Sequence, residues 1–229
     1  MRARTLLAGY LALGVADTVF AACGVDGPRW VTKALLMPAL AAFAYRAARA
    51  DARRDLGLVL GALAGGWVGD VGLLIDSDTT FMLGMAGFAV GHVCYIAAFR
   101  RAGSAPARWM PAVYALAWAA LMALVWRGLD DMLVPVLAYS LLLTVMAVYA
   151  AGVPGRAWLG GVLFLLSDAV IALGIADVRP VPGQDAVVMP TYVAAQLLLV
   201  LTWARPPYGR AKAAVDRSTA AVRRFARLR

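Results

Sequence analysis

The sequence predicts an all-α polytopic membrane protein: a helical bundle of eight transmembrane helices with both termini in the cytoplasm. Three observations carry that prediction. The chain of 229 residues is 63% hydrophobic and only 15% charged, with a mean hydropathy of +0.76, more apolar surface than a soluble domain of this size uses. Its apolar runs are long enough to cross a bilayer, which takes about 20 residues each. Its charges concentrate in the short connections and alternate in sign balance from one connection to the next.

Taken in order, the expected spans cover residues 5–23, 30–48, 56–75, 80–99, 108–126, 132–150, 157–176 and 188–204. Breakers punctuate them: Gly24 to Pro28 after the first, Asp76 to Thr79 after the third, Pro154-Gly155 before the seventh, and Arg179-Pro180-Val181-Pro182-Gly183 before the eighth. No connection is long enough for a second folded unit. Residues 1–204 are therefore read as one transmembrane domain and 205–229 as a basic cytoplasmic tail, an interfacial amphipathic helix or topology anchor without a catalytic part.

Charge orients the bundle. One set of ends and connections holds Arg2 and Arg4, then Arg46, Arg49, Arg53 and Arg54, then Arg100, Arg101 and Arg108, then Arg156 and the tail. The other holds Asp26 with Arg29, Asp76 and Asp78, Arg127 with Asp130 and Asp131, and Asp177, Arg179 and Asp185. The positive-inside rule places the first set in the cytoplasm. The opening Met1-Arg2-Ala3-Arg4, with Phe20-Ala21-Ala22-Cys23 downstream, imitates a lipoprotein-like signal peptide. Asp17 interrupts its apolar core and the run continues to span length, so the segment is read as a retained helix.

The net charge of +9 fits topology and anionic headgroups rather than nucleic acid, for which the chain carries no module signature. Cys23 and Cys94 lie in apolar runs and read as small buried hydrophobes. One histidine in the whole chain argues against a zinc site, and no metal or organic cofactor is expected. Gly61, Gly65 and Gly69 on the third span, and Gly84, Gly87 and Gly91 on the fourth, read as ridges for close helix packing.

A charge at the bilayer centre costs about 2.5–3.5 kcal/mol on insertion scales, so the ionisable residues inside the spans are informative. They are Asp17, Lys33, Asp70, His92 and Asp168. Counted along the helices, Asp17, Asp70 and Asp168 fall past the middle of odd-numbered spans, and Lys33 lies about one turn into the second. Tyr139, Tyr192 and Gln196 share that slab; His92 lies near mid-depth, with Tyr95 one turn deeper on the same face. Polar groups from several spans at one depth form the pattern of an internal site. The structural alternatives are an ion pair between Asp70 and Lys33, hydrogen-bonded core roles for His92 and Tyr95, and an interfacial or capping role for Asp17. Two carboxylates exceed what one lysine balances, which favours function for Asp70 and Asp168. A Gly-Gly pair precedes each of them, at Gly65-Gly66 and Gly160-Gly161, so two parallel four-helix halves would relate them by a pseudo-two-fold axis.

Two facing acids in a dry pocket suit general acid–base hydrolysis. They suit equally a proton relay in a small-molecule or lipid transporter. Nucleophile elbow, metal-binding histidine pair and phosphate loop are all missing from the sequence.

Five stretches in order add a resemblance: Thr32-Lys33-Ala34-Leu35-Leu36-Met37-Pro38, Trp67-Val68-Gly69-Asp70-Val71-Gly72-Leu73-Leu74, Gly91-His92-Val93-Cys94-Tyr95, Gly161-Val162-Leu163-Phe164-Leu165-Leu166-Ser167-Asp168 and Tyr192-Val193-Ala194-Ala195-Gln196. With them the chain resembles the YhhN family, whose animal members are lysoplasmalogenases. Ala34 departs from the proline usual there, and the tail beyond Pro207 lies outside the resemblance. The resemblance implies a membrane-embedded hydrolase cleaving the vinyl ether bond of lysoplasmalogen, or a related lysolipid, to a fatty aldehyde and a glycerophospho-base. It makes Asp70 and Asp168 the expected acid–base pair. Lys33 is then expected to hold the phosphate or tune an Asp. His92, Tyr95, Tyr139, Ser167, Tyr192 and Gln196 become expected substrate-site residues that orient water and headgroup. The Ala- and Arg-rich composition fits a high-GC bacterial coding sequence and hence the cell (inner) membrane as location.

Overall fold

In the computed structural model, residues 2–48, 50, 52–75, 77–178 and 183–204 are described; the basic tail and the 179–182 connection lie outside them, as do Arg49 and Asp76. Among the described residues the architecture is wholly helical. Eight long helices follow the expected spans closely: α1 (Ala3–Ala22), α2 (Asp26–Ala47), α3 (Leu56–Gly72), α4 (Asp78–Arg101), α5 (Met110–Val125), α6 (Leu133–Ala151), α7 (Ala157–Ile175) and α8 (Asp185–Ala204). Short 3-10 turns lead into α3 and flank the α5–α6 connection. Six of the eight, α1 and α4 to α8, are long and apolar enough to cross a membrane by length and composition. The other two differ for visible reasons. α2 carries Asp26, Arg29, Lys33 and Arg46, and α3 has 17 residues, whereas the 16-residue α5 is extended by a 3-10 turn to Gly128 and reaches 19.

Two prolines show how the sequence is accommodated. Pro28, expected to break the chain, sits in the first turn of α2, where its missing N–H would have had no helical partner anyway. Pro38 lies inside α2 and cannot donate to the carbonyl four residues back. That carbonyl belongs to Ala34, and the indole Nε1 of Trp67 donates to it at 2.9 Å. The rescue fastens α3 to α2 through a backbone group that the proline frees.

The helices form a ring in which α1 packs on α2, α2 on α3, α3 on α4, α4 on α6, α6 on α7, α7 on α8 and α8 back on α1, with α2 also touching α8. α5 stands outside the ring, against α6 and more sparsely α7. The contacts α1–α2, α2–α3, α3–α4 and α8–α2 are repeated by α5–α6, α6–α7, α7–α8 and α4–α6. The two four-helix halves thus share a neighbour scheme, and Asp70 and Asp168 occupy corresponding helices. The scheme breaks twice: α1 closes on α8 whereas α5 makes no comparable contact with α4, and α5 touches α7 where α1 makes no comparable contact with α3.

The α3–α4 contact is the tightest, and glycine is its cause. A Cβ added to Gly65 would lie 2.6 Å from the carbonyl oxygen of Gly87, so only hydrogen fits between these backbones. At the bundle end where α2 and α8 begin, Arg29 bridges Asp26 at 3.4 Å and Asp185 at 2.8 Å, pinning the two helix starts together. These are residues that charge alternation assigned to one side.

Candidate acidic site within the bundle

A cavity of about 280 Å3 opens in the half of the bundle that holds the Arg29–Asp185 bridge. Lys33, Asp70, Tyr139, Ser167, Asp168 and Tyr192 all line it. Most of the remaining wall is apolar, supplied by α4 (Phe81, Met85, Phe88), by α5 and by the facing parts of α6 and α7.

Each carboxylate is held by a phenol from another helix. Tyr192 on α8 donates to Asp70 Oδ2 at 3.0 Å. Gln196, one turn on, donates through Nε2 to the Tyr192 oxygen at 3.3 Å, and Tyr95 on α4 donates to Gln196 Oε1 at 2.8 Å. The chain of donors therefore runs Tyr95, Gln196, Tyr192, Asp70. On the other side Tyr139 on α6 donates to Asp168 Oδ2 at 2.5 Å. His92 Nε2 lies 3.2 Å from the same phenol oxygen. Because the phenol proton points at the carboxylate, His92 must be the donor to Tyr139. Its Nδ1 is buried with no hydrogen-bond partner, which suits a lone pair facing apolar neighbours and hence a neutral ring. Both networks deliver hydrogen bonds to carboxylates, and neither joins Asp70 directly to Asp168.

An aromatic cluster stands between the two networks. Phe164 meets His92 edge-on at 4.9 Å and Tyr192 edge-on at 5.4 Å, and Phe88 meets Tyr192 at 5.9 Å. The rings brace Tyr192 directly and Tyr139 through His92, whose ring lies 5.5 Å from it.

The remaining expectations sort by position. His92, Tyr95 and Gln196 stand one or two hydrogen bonds behind the wall rather than on it. Ser167 is on the wall, but its hydroxyl donates to the Val188 carbonyl at 3.2 Å, which stitches α7 to α8. Lys33 is buried on the cavity wall with Asp70, without the direct ion pair that was one structural alternative. Asp17 does not reach an interface. It is fully buried between α1 and α2, accepts a 2.6 Å hydrogen bond from Thr32, and keeps a second oxygen without a partner. Sequence reasoning placed α5 as the fifth span but gave it no part in the site. Tyr114, Ala117, Trp118 and Leu121 form one face of it in the cavity wall, and Trp118 Nε1 donates to Ser140 at 2.9 Å. Their spacing of three and four residues was a signal, but α5 carries no ionisable group except a tyrosine to draw attention to it.

An all-helical bundle with an apolar-walled cavity, two inward carboxylates and one ammonium is a multi-pass membrane protein with a built polar site. The chain belongs to the YhhN family, whose model matches residues 28–203. It is similar to human lysoplasmalogenase TMEM86B, 38% identical over 151 residues, or 66% of this chain and 65% of the relative. It is also similar to mouse lysoplasmalogenase TMEM86B, 34% identical over 185 residues and 80% of each chain. A bacterial relative, the lysoplasmalogenase of Mycobacterium bovis, is 32% identical over 210 residues, 82% of this chain and 78% of its own length. No solved structure matches.

Proposed function

We propose that the protein is a membrane-embedded hydrolase that cleaves the vinyl ether bond of lysoplasmalogen or a related lysolipid, using Asp70 and Asp168 as an acid–base pair. The observation that carries this reading is the convergence of both carboxylates on one apolar cavity, each fed by a phenol, in a chain similar to lysoplasmalogenases. The bundle is read as eight spans across residues 1–204, with both ends and the 205–229 tail on the cytoplasmic side of a cell membrane.

The chemistry assigns each group a task. Asp168 transfers a proton to the alkene carbon remote from the ether oxygen, leaving an oxocarbenium ion at the other. Water adds to that carbon and gives up its proton to a carboxylate. The resulting hemiacetal collapses, releasing a fatty aldehyde and the glycerol hydroxyl, so one water is consumed. The assignment of Asp168 as acid follows from charge balance. Lys33 stands on α2, which packs against α3 and its Asp70 but makes at most sparse contact with α7 and its Asp168, so its charge compensates the first carboxylate more than the second. Asp70 then stabilises the oxocarbenium ion and accepts the proton of the incoming water. Lys33 also offers the only buried ammonium on the cavity wall for the substrate phosphate.

The test is aldehyde release from lysoplasmalogen by the purified protein and its Asp70→Asn and Asp168→Asn variants. Each substitution is expected to lower the rate by about 10^2–10^4-fold, the usual yield of a positioned acid or base. Full activity in both folded variants overturns the assignment. Uptake of the intact lipid or proton-coupled transport in vesicles, without aldehyde, would point to a transporter built on the same acids.

A further inference from the structure

The cavity does not end where its acids do. Most of its lining is buried or half-buried, but two lining residues are exposed on the outer surface of the bundle: Ala117 on α5 and Leu166 on α7, the latter 46% exposed. Each lies at the centre of its helix. They mark a place where the cavity reaches the side of the molecule at mid-depth, in the seam between α5 and α7. That seam is thinly packed, since α5 rests chiefly on α6. The surface around it is apolar and exposed, with Val113 and Leu116 on α5 and Val162 on α7. At mid-depth such a surface meets acyl chains, not water or headgroups.

The polar end of the cavity lies elsewhere. Lys33 is seven residues into α2, and Asp70 is two residues from the end of α3, both toward the Arg29–Asp185 end of the bundle. A single-chain amphiphile with its polar part at Lys33 and the two acids has its hydrocarbon directed along the α5, α6 and α7 walls to the seam. The path is short, on the order of one helix diameter, about 10 Å. Longer chains must leave the bundle.

We propose that the seam between α5 and α7 is a lateral doorway through which the substrate's hydrocarbon chain hangs into the bilayer, so that the site reads the vinyl ether and the polar end but not the chain length. The doorway rests on the proposed lipid substrate and adds to it a rule of specificity. A blind pocket would instead impose a sharp upper limit on chain length.

The experiment is a series of 1-alkenyl lysophospholipids with chains of 8 to 20 carbons, presented to the wild-type protein at equal surface concentration. The expected kcat/KM rises until the chain reaches the seam and is level from there to the longest member. The variants Ala117→Trp and Leu166→Trp place an indole in the seam from its lipid-facing side, where it strains no core. They are expected to convert the level profile into a falling one, raising the ratio of short-chain to long-chain kcat/KM by about tenfold or more. A sharp upper limit in the wild type, or Trp variants that keep the wild-type profile, overturns the doorway. Independently of turnover, a saturated 1-alkyl lysophospholipid with a mid-chain diazirine is irradiated in vesicles containing the protein. Labelling at the central turns of α5 and α7, lost in the Trp variants, supports the doorway even if no vinyl ether is cleaved, in which case the hydrolase reading falls alone. Labelling elsewhere overturns the doorway even if aldehyde is released.

Discussion

The two carboxylates sit on corresponding helices of the two halves, each under a tyrosine, yet their surroundings differ. Asp70 is 2% exposed, at the end of α3, behind Tyr192, Gln196 and Tyr95 in a network with every link inside the protein. Asp168 is half-buried, seven residues from the end of α7, and its shorter network stops at a histidine with one nitrogen unpartnered. Lys33 stands on α2, which packs against the helix of the first and makes at most sparse contact with the helix of the second. Corresponding helices thus carry a buried carboxylate and a half-buried one, both on the cavity wall. In the proposed reaction this difference matches one group that holds charge and another that hands over a proton.

The largest expected effect tests that asymmetry by adding one methylene. Asp168→Glu extends the acid into the cavity, where there is room, and the variant should fold normally. Asp70→Glu lengthens a side chain that is 2% exposed and held by Tyr192, at about 1–3 kcal/mol of overpacking, and pulls the carboxylate off the Tyr192 hydroxyl. Thermal unfolding in detergent should show Asp70→Glu well below wild type and Asp168→Glu close to it. Both should lose activity, because the acid atoms move. Equal unfolding temperatures for the pair would mean that the two sites are alike and that the comparison is wrong.

Removing the phenols comes next. A hydrogen bond to a charged group contributes about 1.5–3 kcal/mol, so Tyr192→Phe should weaken the held charge on Asp70 and leave Gln196 Nε2 without its acceptor. Tyr139→Phe removes the donor to Asp168 and strands the His92 Nε2–H. The two should part in aldehyde-release kinetics: Tyr192→Phe lowers both unfolding temperature and kcat, whereas Tyr139→Phe lowers kcat by roughly tenfold with a smaller change in stability, since its arm opens on the cavity. Loss of stability in Tyr139→Phe alone would reverse the ranking.

Much of this was legible in the chain because charges in lipid are costly. Asp70, Asp168 and Lys33 stand out against their runs, and counting residues along each helix put them at one level with Tyr139, Tyr192 and Gln196. Charge alternation likewise assigned Arg29 and Asp185 to one end, where they meet. Direction around each helix was not legible. A span that is apolar on all sides has no polar face to show which way it turns, so His92 and Gln196 were expected in the cavity when they stand behind Tyr139 and Tyr192. Asp17 was left between an interfacial and a capping role because depth alone does not reveal Thr32 on the neighbouring helix. The part played by α5 was hidden for the same reason. Its cavity face is made of Ala117, Trp118 and Leu121, residue types that serve equally well against lipid.

The smallest expected effect lies at the far end of the sealed arm. Tyr95 is buried, stacks near Phe99 with ring centroids 6.0 Å apart, and donates its hydroxyl to Gln196 Oε1. Tyr95→Phe keeps the ring and removes one neutral hydrogen bond, three links from Asp70, worth about 0.5–1.5 kcal/mol. The lost donor leaves Gln196 Oε1 without a partner and free to turn. If the arm only props the bundle, unfolding temperature falls slightly and kcat stays at its wild-type value. If the arm orients Tyr192 toward Asp70, the same substitution also lowers kcat by a few-fold, and Gln196→Glu, which offers an acceptor where Tyr192 needs a donor, lowers it further. A graded fall in kcat along Tyr95, Gln196 and Tyr192 establishes the arm as one positioning device. A flat response confines its part in the reaction to the Tyr192 hydroxyl.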